Sequence, residues 1–180
     1  MLKLYVAGDE YFNEETSEIT TLGDVELELE HSLVSLSKWE SKYQKPFLSS
    51  EDKTSEELFH YIEFMIISPN YPKDVLLRLS NKNIEEVNAY IESKESATTF
   101  GSMPERKGRG EIITSELIYY WMVAFNIPFE CEYWHLNRLF ALIRICNIKN
   151  SKPKKMSRNE IASRNRQLNA QRKAKLSTSG

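Results

Sequence analysis

A chain of 180 residues with 41% apolar and 28% charged side chains holds enough material for one packed core, and its balance is globular rather than disordered. No apolar run approaches the roughly 18 residues of a membrane span. The opening Met1-Leu2-Lys3-Leu4-Tyr5-Val6 is too short and too soon acidic for a signal peptide, so a cytosolic protein with no membrane partner is expected. The net charge of −2 conceals a division: from Lys149 onward ten bases face Glu160 alone, which leaves 14 bases and 25 acids in residues 1–148. An acidic body thus carries a basic tail.

Leu2–Val6 alternates apolar and polar residues and ends at the turn signal Gly8-Asp9. Residues 19–22 and Val25–Leu29 are further strand candidates, with Gly23-Asp24 as the turn between them. From Ser32 the period changes, and Leu33, Leu36, Trp39 and Tyr43 fit a helical stripe that Lys45-Pro46 ends. Thr54 and Glu57 form a capping box opening a helix over about 55–67, which Ser68-Pro69 stops. Pro72 suits the first position of a short helix to Leu79, and Asn83-Ile84-Glu85-Glu86 reads as the next helix start, with Val87, Tyr90 and Ile91 apolar. Residues 97–110, with Gly101, Pro104, Gly108 and Gly110 among Arg106, Lys107 and Arg109, read as a long exposed loop.

Thr114 caps a helix to about Asn126, which Pro128 breaks, and a longer helix is expected over about 129–147. Residues 150–153 read as a linker, and Ser157 with Glu160 opens a polar helix to about Lys175. The expected fold is mainly α: a small N-terminal β element over residues 1–30, a compact multi-helix domain over 31–148, and a basic C-terminal tail over 149–180 that is partly helical.

The helix beginning at Ser115 is apolar all round and therefore expected to be central. The next one carries a stripe of Leu136, Leu139, Phe140 and Ile143, with Trp134, Arg138, Ala141 and Ile145 on nearly the opposite side. That second side either packs under a neighbouring helix or forms a protein-binding face of Trp134, Arg138 and Ile145, since Trp and Arg anchor interfaces. Cys131 and Cys146, 15 residues apart on one helix, are too distant for a disulfide and read as buried small hydrophobes.

Each of the three histidines follows a glutamate by three residues: Glu28/His31, Glu57/His60 and Glu132/His135. With Glu40 and Glu116 these could form a di-iron carboxylate site. Against this, Glu57 belongs to a capping box, and the stripe of Leu58, Ile62 and Met65 puts Glu57 and His60 on the solvent face. Cys131 and His135 offer only two zinc ligands. With no phosphate-cradling glycine loop, nucleophile elbow or paired-cysteine spacing, neither catalysis nor a cofactor or metal is expected.

Lys154, Lys155, Arg158, Arg164 and Arg166 head the basic tail. It contains no aromatic residue to stack on bases, and the acidic body would repel phosphates, so a protein partner is expected rather than nucleic acid. Ile161 and Leu168 make one weak stripe, so the helix is expected to order on a partner or on the acidic body. Opposite charges on one chain also favour head-to-tail self-association.

Residues 29–43 (Leu-Glu-His-Ser-Leu-Val-Ser-Leu-Ser-Lys-Trp-Glu-Ser-Lys-Tyr), Tyr119-Tyr120-Trp121-Met122, Asn126-Ile127-Pro128-Phe129-Glu130-Cys131, Trp134-His135-Leu136-Asn137-Arg138-Leu139 and the run from Lys154 to Arg172 resemble tail assembly chaperones of long-tailed bacteriophages. The resemblance extends from about Leu27 over most of the chain. It implies a non-catalytic role in phage morphogenesis, in the cytoplasm of an infected bacterial host. The implied partners are the long helical tape-measure protein and the tail tube subunits. A virion structural or connector protein is the alternative of the same texture.

Overall fold

The alternation in β1 (Leu2–Val6) and β4 (Val25–Leu29) builds an antiparallel pair, with Leu2 opposite Leu29 and Val6 opposite Val25. The computed structural model describes residues 1–13, 18–50, 52–100, 112–151 and 158–176, the side chains of 11–13, 18, 20 and 160 aside. The pleat buries Leu4, Val6, Leu27 and Leu29 and turns Lys3, Tyr5 and Glu26 to solvent, where Lys3 Nζ lies 2.8 Å from Glu26 Oε1.

β2 (Asp9–Asn13) and β3 (Glu18–Leu22) pair in the same register, Asp9 opposite Leu22 and Asn13 opposite Glu18. The four strands are therefore one long hairpin with a break at Ala7-Gly8 and Gly23-Asp24. The expected turns at Gly8-Asp9 and Gly23-Asp24 are corrected accordingly: β4 continues β3 and pairs with β1. Side chains supply what the ladder omits at the break. The Asp24 carboxylate accepts from the Gly8 amide (2.7 Å) and from the Tyr5 hydroxyl, and Arg78 Nη1 donates to the carbonyls of Ala7 (3.2 Å) and Gly23 (3.1 Å). A Cβ on Gly8 would lie 2.3 Å from the Leu22 carbonyl oxygen, so only glycine admits the facing strand here.

α1 (Leu33–Tyr43) starts at a reciprocal box of Ser32 and Ser35, and α2 (Ser55–Met65) at the Thr54–Glu57 box legible in the sequence. α2 stops at Met65 because the chain then pairs with β4: the Glu30 amide donates to the Met65 carbonyl at 2.8 Å and the Ile67 amide to the Glu28 carbonyl at 2.9 Å. A 3-10 turn over Lys73–Arg78 follows Pro72. α3 (Asn81–Glu92) is capped by Ser80 rather than started at Asn83. Asn83 is the third-position partner in that box, and its amide also donates to the Tyr5 carbonyl (2.9 Å), tying α3 to β1.

α4 (Ser115–Ala124) begins at Thr114 as expected. The single helix expected over 129–147 is divided into a 3-10 turn, Phe129–Tyr133, and α5 (Leu136–Asn150). The division has a long-range cause. His135 pairs as a β-bridge with Ser32, and the Leu136 amide donates to the His31 carbonyl at 2.7 Å, so the backbone there is committed to the β4–α1 junction.

Residues 1–147 form one compact unit and 148–180 a second. Within the first, one apolar cluster joins the hairpin, Trp39 of α1, α2, the Lys73–Arg78 turn and α3. The other joins Leu33 and Leu36 of α1 with α4, the Phe129–Tyr133 turn and α5. The second unit contains α6 (Arg158–Leu176), whose described side chains are exposed apart from half-buried Ala162. The capping box expected at Ser157 and the centre of the long loop lie outside the described residues, as do Lys154 and Lys155. Among the described residues, no helix is long and apolar enough to cross a membrane.

Candidate functional site

α4 buries Ser115, Ile118 and Met122 and turns its other side outward. This corrects the reading of α4 as central: its apolar circumference includes a surface. Tyr120 is 65% and Val123 59% exposed, and beyond the turn at Asn126 (φ 53°) Phe129 and Tyr133 follow at 56% and 63%. Tyr120 and Val123 are three apart and share a face. Tyr119, four residues before Val123, is half-buried and brings its ring to 6.4 Å from that of Phe129. Its hydroxyl donates to Glu132 Oε2 (2.8 Å), which fixes the 3-10 turn against α4. Burial first, and Glu132 second, raise that phenol above its ordinary pKa.

Of the residues singled out in the sequence, the structure joins Trp134 and Arg138. The Arg138 guanidinium carbon stands 4.2 Å from the centre of the Trp134 ring, within cation–π range. Trp134 is not on the helix: it closes the Phe129–Tyr133 turn, half-buried against the α4–α5 cluster, while Arg138 is exposed on the first turns of α5. Ile145, seven residues beyond Arg138, falls on the same side of α5 and is half-buried. Tyr120, Val123, Phe129 and Tyr133 were missed. The signal present was a helix apolar on every side that ended in Pro128-Phe129, which says that something apolar is left over but not which side.

In α6, Arg158, Arg164 and Arg166 are exposed and do not share one face. Helical spacing places Ile161 and Leu168 on a narrow apolar ridge, with Arg164 and Lys175 along one flank and Arg158 and Arg172 along the other.

The three Glu-x-x-His pairs do not converge. Glu57 is buried, not on the solvent face, and lies 2.5 Å from Lys45 Nζ. Lys45 first, and the Thr54 amide second, hold its carboxyl below the usual range. His60 is half-buried and meets the Tyr43 hydroxyl. Glu40 is buried and accepts from the amides of Phe47 (2.9 Å) and Ser115 (2.6 Å). His31 and His135 do come together, with ring centres 5.1 Å apart. Among the described residues, no group of three or more His, Cys, Asp and Glu is placed to hold a metal ion. Both cysteines are free thiols: Cys131 is buried, and burial pushes its pKa up, while Cys146 is half-buried.

Comparison of the chain with protein-family models, with curated proteins and with solved structures finds no match.

Proposed function

We propose that this chain is a non-catalytic tail assembly chaperone of a long-tailed phage that grips a helical client through the outer face of α4 and the turn after it. The observation that carries the reading is the exposure of Tyr120 and Val123 on α4 and of Phe129 and Tyr133 on the turn after it, followed in the chain by the Trp134–Arg138 stack. Large rigid rings and a stacked arginine are the side chains on which protein interfaces concentrate their energy. An apolar ridge of this kind suits the apolar stripe of an amphipathic helix, as in a tape-measure segment. The basic tail supplies a second, electrostatic contact to an acidic partner.

The test mixes the purified full chain with the tape-measure and tail tube proteins of the same phage and measures affinity. Replacing Tyr120 and Phe129 together by Ala is expected to weaken binding by about thirtyfold or more, as for two interface anchors of about 1–2 kcal/mol each. Unchanged affinity refutes the α4 surface as the grip. Purified particles are probed in parallel: the chaperone reading expects this chain to be absent from them, and its retention would make it a virion connector.

A further inference from the structure

Four rings run edge to edge through the unit 1–147: Tyr61 of α2, His31, His135 and Tyr90 of α3, with successive centre separations of 5.8, 5.1 and 4.8 Å. All four are buried. They lie on the seam between the two apolar clusters, because Tyr61 and Tyr90 belong to the hairpin cluster while His135 leads into α5 of the other.

Donor and acceptor roles determine the state of one ring. His135 Nε2 lies 3.0 Å from the Tyr90 carbonyl oxygen, which only accepts, so this nitrogen carries the proton. His135 Nδ1 lies 3.3 Å from the Asn137 amide, which only donates, so this nitrogen is bare and acts as an N-cap acceptor for α5. A second proton on the ring would point at that amide. His31 Nδ1 is 2.6 Å from the Tyr61 hydroxyl. Burial first, and His135 second, push the His31 imidazole down to about 3.

Among the described residues, Glu40 acts on Tyr61 and Glu30 and Glu95 act on Tyr90. Glu30, on the strand side, is occupied by the Tyr90 hydroxyl (2.6 Å) and the chain's amino terminus (2.9 Å). Glu40 of α1 is occupied by two amides. The Tyr61 and Tyr90 hydroxyls are raised by burial, as is the Cys131 thiol in the turn before His135.

We propose that His31, packed edge to edge on His135 and held by the Tyr61 hydroxyl, is an acid-released latch: neutral, it holds the hairpin half of this unit to the α4–α5 half; protonated, it lets the seam open. The unfolded chain takes up histidine protons below about pH 6.5. A ring kept neutral in the fold therefore costs stability progressively as the pH falls from there. Between pH 6 and pH 5 the folding constant should drop about eightfold for this one ring.

The test follows urea unfolding of the full chain by tryptophan fluorescence at pH 7.5, 6 and 5. The wild type is expected to lose about eightfold between pH 6 and 5 through His31, and His31→Gln less than about twofold. A wild-type loss below about threefold, or a His31→Gln variant as steep as the wild type, overturns the latch. Should the variant fail to fold, ring-proton NMR of the wild type decides. A His31 signal unresponsive down to pH 5 supports it, and a His31 signal titrating normally while the fold persists overturns it.

Discussion

Replacing Glu40 by Gln tests the joint between α1 and α4 with almost no change in shape. Ser115 is the first residue of α4, so its amide has no partner within the helix. Thr114 caps the Leu117 amide at 3.4 Å and leaves that of Ser115 to Glu40 Oε2 at 2.6 Å. The other oxygen takes the Phe47 amide at 2.9 Å. An amide side chain offers one oxygen and one NH2, so one buried backbone N–H would face a donor. An unsatisfied buried group of this kind costs about 1–3 kcal/mol. Losing a carboxylate from the positive end of a helix adds about 0.3–1 kcal/mol. The expected loss is therefore about 1.3–4 kcal/mol, or a fall in melting temperature of about 3–16 °C for a chain of this size. Thermal and urea unfolding of the full chain at pH 7 measure it, with the exposed Glu130→Gln as a control expected to stay within about 0.5 kcal/mol. Amide exchange at Phe47 and Ser115 should quicken first. A Glu40→Gln variant as stable as the control would refute the assignment of this carboxylate as a structural joint.

Gly8→Ala should destabilise the chain by about 1–3 kcal/mol, as overpacking does, because its new Cβ would collide with a backbone carbonyl rather than a movable side chain; the urea midpoint measures the effect. Lys45→Met removes the main cause of the lowered Glu57 pKa. A lowered carboxyl contributes stability above its unfolded value of about 4.3 that vanishes as the pH falls through the folded one. The melting temperatures of variant and wild type should accordingly differ most near pH 7 and converge toward pH 3, and a constant gap would rule out the ion pair as the source.

Local chemistry was legible and long-range commitments were not. Thr54 with Glu57, and Thr114, announced α2 and α4 because a cap is satisfied within three residues. Asn83 read as a helix start, whereas it is the third-position partner of a cap at Ser80 and also reaches across to Tyr5. The strand period at 25–29 was correct, but its partner was misread. Gly23-Asp24 has turn composition, yet it joins β3 to β4 in one register and its Gly23 carbonyl accepts from Arg78, distant in sequence. The stretch 129–147 has no helix breaker at Trp134-His135; the interruption comes from pairing with Ser32. Trp134 and Arg138 were found at helical spacing and do stack, although Trp134 precedes α5.

α1 shows why stability and the proposed binding surface are separable in this fold. Leu33 and Leu36 face the α4–α5 cluster, whereas Trp39 faces the hairpin cluster, where its indole N–H donates to the Glu57 carbonyl at 2.7 Å. One helix thus serves as a wall of both cores. Polar joints stand near its two ends: the His31–His135 contact just before it and the Glu40 carboxylate in its last turn. Neither joint includes Tyr120, Val123, Phe129 or Tyr133. A change at a joint loosens how α4 and α5 are held to the hairpin half and should register in unfolding first. A change at an exposed ring removes contact area from solvent-facing side chains and should, under the proposed function, register in affinity for the tape-measure or tube protein while the melting temperature stays put.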